Sequence, residues 1–204
     1  MPSVRSSGRT SDGPGQMRAF VAVVPPAEVV EHLDAFLDVR REAAAFRWAP
    51  PEQLHVTLAF LAEVAQRRLD ELVERLGRAA ARRSAFTAAI AGGGAFPDVA
   101  RARVLWTGLE LDEPGRTELP RLAAGARAAA SRSGVPVHGQ RFRPHVTLAR
   151  LGRPAEVTAW VRLLDAYRGP SWEVGTIALV ASYPGEGPRG RPRHETVEEF
   201  ALSR

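Results

Sequence analysis

The sequence predicts an α+β fold made of a duplicated unit, with a cleft on its pseudo-two-fold axis. Two observations carry that prediction. The tetrapeptide His55-Val56-Thr57-Leu58 returns 90 residues later as His145-Val146-Thr147-Leu148. Around each copy the same order of elements runs: strand, helix, tetrapeptide strand, helix, strand.

In chain order, residues 1–16 are polar and rich in Gly and Ser, without periodicity, which predicts a disordered arm and makes Met17 a candidate start. Met17 to Val24 is β-prone and mostly apolar, and Pro25-Pro26 ends it. Val29, Val30, Leu33, Phe36 and Leu37 recur at helical spacing and leave His32 on the wet side. Phe46-Arg47-Trp48 reads as a short strand, and the first tetrapeptide strand runs from Leu54 to Leu61. A second helix spans Ala65 to Arg83 on a stripe of Leu69, Leu72, Val73 and Leu76. A strand at Ala85 to Ala91 leads into Gly92-Gly93-Gly94, where neither Lys-Ser/Thr nor a helix follows, so the triplet reads as a flexible connection rather than a phosphate loop.

Arg103 to Leu109 opens the second unit. A third helix, Gly115 to Ser133, carries Leu119, Leu122, Ala123 and Ala126 inward and stops at Gly134. After the second tetrapeptide, a fourth helix is expected from Pro154 to Gly169-Pro170, followed by one strand from Trp172 to Ala181. Pro184 to Arg193 combines Pro and Gly breakers with three Arg and reads as a loop that either covers the cleft or stays on the surface.

Within an extended tetrapeptide, His and Thr share one face, Val and Leu the other. If the apolar pairs anchor two neighbouring strands, His55, Thr57, His145 and Thr147 converge. Two imidazoles that titrate near neutrality serve as acid and base, and Thr hydroxyls donate to phosphate oxygens, so the set suits phosphoester chemistry. Other classes are disfavoured. The chain has no Cys, which removes disulfides, thiolate metal sites and a Cys nucleophile. Neither motif has a further His or carboxylate at metal-ligand spacing, so no metal and no cofactor is expected. Without a long apolar run or an apolar leader, neither a membrane span nor a secretory signal is read, and the cytoplasm is the expected compartment. All 28 basic residues are Arg and the net charge is +5, which fits a polyanion partner and equally a biased residue usage.

The motifs resemble those of the 2H phosphoesterases. Met17 to Val23 (MRAFVAV) looks like that family's opening strand, Leu54 to Leu61 (LHVTLAFL) like its first motif and Arg141 to Arg150 (RFRPHVTLAR) like its second. Together they are similar to the bacterial and archaeal RNA 2',3'-cyclic phosphodiesterases, also described as 2'-5' RNA ligases. The resemblance implies antiparallel sheets in two lobes flanking a central cleft, helices on the outside, and one such domain over residues 17–204. It implies hydrolysis of RNA 2',3'-cyclic phosphate ends, or of small cyclic nucleotides, to a 2'-phosphate by a monomer, with ligation as a side reaction. His55 would be the acid and His145 the base.

The resemblance also places Arg150 and Phe60 in the pocket, each five positions after its His. Strict alternation puts an odd offset on the opposite face, so a bulge is required to bring them round. Arg141 and Arg143 are expected to contact the RNA backbone, and His138 to be structural. Two positions depart from the family: Ala62 stands where Gly is usual, and His194 where Tyr is usual, so His194 is not counted as catalytic. A reading of another class, a non-catalytic RNA- or nucleotide-binding module on the same fold, is disfavoured by the presence of both His.

Overall fold

The computed structural model describes residues 16–137 and 141–204. The expected arm, apart from Gln16, and His138 lie outside the described residues. Strands β1 (Gln16–Val23), β2 (Arg47–Trp48), β3 (Val56–Ala65), β4 (Phe86–Phe96), β5 (Ala102–Leu111), β6 (Val146–Ala155), β7 (Arg168–Val174), β8 (Thr176–Tyr183) and β9 (Arg193–Ala201) alternate with helices α1 (Ala27–Arg41), α2 (Leu69–Ala80), α3 (Glu113–Arg132) and α4 (Thr158–Asp165). The α+β class read from the sequence is the one observed.

The strands pair antiparallel in the order β7-β4-β5-β6-β3-β1-β8-β9, with β2 beside β6. The two sheets expected on either side of a cleft are the halves of this one set, and they meet where Val56 of β3 pairs with Val146 of β6. The halves exchange strands. β4 follows the first motif but pairs with β5 of the second unit, and β8 follows the second motif but pairs with β1 of the first. Each motif strand thus has the opening strand of its own unit at its side, and the closing strand of the other unit beyond.

The helices cover the opposite face from the cleft. α2 buries Leu72 and Leu76, and α3 buries Leu119, Leu122, Ala123 and Ala126 against the main core. Asp112 caps α3 by accepting from the Gly115 N–H at 2.7 Å, and Gly134 takes the left-handed conformation past its end. On the cleft side of β1 and β8 a separate small cluster forms from Phe20, Ala22, Ala178 and Val180.

Several sequence expectations are corrected. Gly92-Gly93-Gly94 is not a connection but the middle of β4, with Gly92 at positive φ in a bulge. Glycine is needed there because neighbours lie on the backbone: a Cβ on Gly93 would stand 2.6 Å from Leu164 of α4, and one on Gly94 2.1 Å from the Trp106 ring. The fourth helix starts at Thr158, not Pro154, because β6 continues to Ala155 opposite Ala102. A proline is tolerated where one side of a strand carries no ladder, which holds for Pro154 beyond β2 and for Pro170 in the edge strand β7. The single strand expected from Trp172 to Ala181 is two, broken at Gly175, where the chain leaves one half-sheet for the other. The second helix starts at Leu69 after a longer β3, and β9 was not anticipated.

Gly94→Ala should lower unfolding stability by about 1–3 kcal/mol, because a planar indole has nowhere to yield. Urea denaturation reads this directly, and an unchanged midpoint would show that Trp106 moves aside without cost.

Candidate active site

Both tetrapeptide histidines sit one residue ahead of their strands. His55 Nδ1 lies 2.7 Å from the Gln53 carbonyl, and His145 Nδ1 lies 2.7 Å from the Arg143 carbonyl, each two residues back. A carbonyl only accepts, so Nδ1 carries the proton in both rings. Nε2 is therefore the nitrogen left for chemistry, in the same tautomer on both sides.

One cavity of about 420 Å³ is lined by His55, Thr57, Phe60, His145, Thr147 and Arg150 together. The bulges required for Phe60 and Arg150 are present, at equivalent places. Between β1 and β3 the register steps from Ala22↔Thr57 to Val21↔Ala59 and skips Leu58; between β5 and β6 it steps from Trp106↔Thr147 to Leu105↔Ala149 and skips Leu148. One extra residue cancels the odd offset, so Phe60 returns to the face of Thr57, and Arg150 to that of Thr147. Arg143 lines the adjoining cavity rather than this one, as does Arg141.

Aromatic rings hold the imidazoles. Phe20 stacks on His55 with centroids 4.4 Å apart and planes at 20°. His194 stands edge-on to both, 5.0 Å from Phe20 and 5.8 Å from His55, so the residue not counted as catalytic lines the cleft as a third imidazole. On the other side Phe96 meets His145 edge-on at 5.0 Å, and Trp106 lies 6.0 Å away. Arg143 spreads its guanidinium over Trp106 at 4.7 Å.

The electrostatics favour an anion. Burial pushes His55 down from 6.5 to about 4; the Gln53 carbonyl opposes this, while His194, His145 and Arg150 add to it. Burial also lowers His145 against the pull of the Arg143 carbonyl, helped by the Arg143 and Arg150 guanidinium charges, and burial lowers His194. All three are therefore neutral at pH 7 in the free protein. Arg18, Arg47, Arg150 and Arg191 line the same cavity, and among the described residues no carboxylate does. Arg47 and Arg150 are direct cross-strand partners, a like-charged pair that destabilises a sheet until an anion lies between them. Among the described residues, no group of three or more His, Cys, Asp or Glu could hold a metal ion. Nor is any described helix long and apolar enough to cross a membrane.

Sequence reasoning missed Arg18 and Arg47 as cleft residues, and reached Arg191 only as one of three Arg in a loop that either covers the cleft or stays on the surface. The Arg-aromatic-rich run from Phe46 to Trp48 was a signal for the second, since β2 docks on β6 beside Arg150. The Pro184–Arg193 loop folds back to the cleft: Gln53 Nε2 donates to the Pro192 carbonyl at 2.7 Å, which brings Arg191 to the cavity.

Comparison with known proteins gives one consistent result. A family model described as LigT-like phosphoesterase matches residues 23–106 and 109–189, one tetrapeptide in each segment. The RNA 2',3'-cyclic phosphodiesterase of Aquifex aeolicus is 31% identical over 194 residues, 91% of this chain and 97% of the relative. That of Thermus thermophilus is 33% identical over 91% of this chain and 90% of its own. Among solved structures, Escherichia coli LigT complexed with 3'-AMP superposes with a TM-score of 0.72 at 30% identity, over 93% of this chain and 99% of that one.

A histidine whose pKa is lower folded than unfolded takes up protons on unfolding, so it withdraws stability as pH falls. For His55 the window runs from its unfolded value of 6.5 down to about 4, and His145 and His194 add to the loss below 6.5. The melting temperature should therefore fall as pH is lowered through this range, and less steeply in His55→Gln. Equal slopes for the two proteins would show that His55 gives up no protonation energy on folding.

Proposed function

The chain belongs to the LigT-like phosphoesterase family, and from that membership we propose that it hydrolyses RNA terminal 2',3'-cyclic phosphate to a 2'-phosphate end without metal or cofactor. The observation that carries this reading is the cavity in which two identically tautomerised imidazoles, two Thr and Arg150 meet, without a carboxylate among the described residues. Support comes also from the relatives named RNA 2',3'-cyclic phosphodiesterase and from the nucleotide complex of E. coli LigT.

In this scheme one imidazole takes a proton from water as its oxygen bonds to phosphorus, and the other gives a proton to the departing 3' oxygen as the P–O3' bond breaks. Thr57 and Thr147 donate to the non-bridging oxygens, and Arg150 with Arg47 offsets the charge that builds there. The family resemblance assigns the acid to His55 and the base to His145. A neutral His145 is a base ready for use. His55, held near 4 in the free cleft, becomes an acid when the bound phosphate anion restores its affinity for a proton. When the 5'-hydroxyl of a second RNA takes the place of water, its oxygen bonds to phosphorus as the P–O3' bond breaks and the 3' oxygen takes the proton, which gives a 2'-5' diester and so ligation as a side activity.

A short RNA ending in a 2',3'-cyclic phosphate should be converted to the 2'-phosphate in EDTA. The kcat/KM profile should be bell-shaped, because below both pKa values the base is protonated and above both the acid is spent. Since both are lowered in the free protein, its maximum should lie below pH 6.5. Loss of turnover in EDTA, or a rate that climbs steadily to high pH, would rule out paired imidazole catalysis.

A further inference from the structure

Beyond His145 the cleft opens into a second, larger cavity of about 1090 Å³. It shares Thr57, Phe60 and His145 with the first, so the two are continuous at the catalytic rim. Among the described residues its walls carry three aromatic rings, Phe60, Phe96 and Phe142, and three guanidinium groups, Arg127, Arg141 and Arg143, with no carboxylate. Phe60 is 45% exposed, unusual for so large an apolar side chain.

Aromatic faces and guanidinium groups lining one open cavity suit a polymer that repeats a flat base and a negative charge. Each ring offers a stacking platform tolerant of base identity, and each guanidinium a fork for a phosphate. The 420 Å³ cavity that holds both imidazoles has room for one nucleotide end, whereas the larger cavity has room for more than one further nucleotide. Resting on the phosphodiesterase reading, we propose that this second cavity binds the single-stranded RNA on the 5' side of the cyclic phosphate. Bases stack on Phe60 and Phe142, and the backbone runs along Arg127 and Arg141. The preferred substrate is then an oligonucleotide end and not a free cyclic mononucleotide.

The test compares a pentanucleotide ending in a 2',3'-cyclic phosphate with a nucleoside 2',3'-cyclic phosphate. Wild type should show a kcat/KM advantage for the pentamer of about tenfold or more, the scale of one stacked base. The double variant Arg127→Gln, Arg141→Gln should lose most of that advantage, and its slope of log kcat/KM against log salt should shrink by about 1.4, at roughly 0.7 for each phosphate contact on a single strand. Phe142→Leu, which keeps the apolar packing, should weaken only the pentamer. Hydrolysis of the mononucleotide should be unchanged in both variants, which also shows that they fold.

Equal kcat/KM for the two lengths in wild type, or equal losses on both substrates in the variants, would overturn the inference while leaving the hydrolase reading intact. If neither substrate turns over, the hydrolase reading fails, and equilibrium binding of a pentanucleotide ending in a 2'-phosphate, against a nucleoside 2'-phosphate, decides for the cavity. A tenfold gap in affinity supports it, and equal affinities overturn it.

Discussion

The cleft depends on one seam. Val56 and Val146, both fully buried, pair across the boundary of the two half-sheets, and each is preceded by a motif histidine. Because the pairing is antiparallel and the motifs are identical, the seam sets the imidazoles in equivalent positions on either side of it. A one-residue slip would turn the valines out of the core and the histidines into it. The hydrophobic effect on two apolar side chains thus fixes the register of the polar ones beside them.

Around that seam, bulge and burial act together. Skipping Leu58 and Leu148 keeps both leucines in the core while Phe60 and Arg150 turn to the cleft, so each motif delivers a third side chain. The aromatic rings that pack the imidazoles also exclude water from them, which lowers their proton affinity. Arg150 in the same cavity depresses it further, joined at His145 by Arg143 of the adjoining one. The free cleft therefore carries repulsive energy that an anionic ligand relieves. Under the proposed function, relief of that like-charge strain contributes to phosphate binding beside the new contacts.

What was legible in the sequence was what local pattern controls. Helical stripes, the tetrapeptide strands and the duplicated order are periodicity, and the family resemblance supplied the antiparallel halves. What was not legible depends on partners distant in the chain. Gly93 and Gly94 read as a loop by composition, yet they are glycines because Leu164 and Trp106 occupy the space of a side chain. Pro154 signals a helix start locally, but pairing with β5 keeps the chain extended. β9 alternates weakly, with Phe200 as its one buried side chain, because it is an edge strand. His194 could not be assigned to the cleft without knowing that this edge strand runs beside β8 and thereby past Phe20.

The proposed hydrolysis requires His55 and His145 to act as one acid-base pair. The most direct test is the single-turnover cleavage rate of an RNA 2',3'-cyclic phosphate by His55→Ala, His145→Ala and the double variant. Each single change should cost about 10²- to 10⁴-fold, and the double variant should be no slower than the worse single, because either loss already disables the pair. A single variant at the wild-type rate, or losses that multiply in the double, would show that the two imidazoles do not work as a pair.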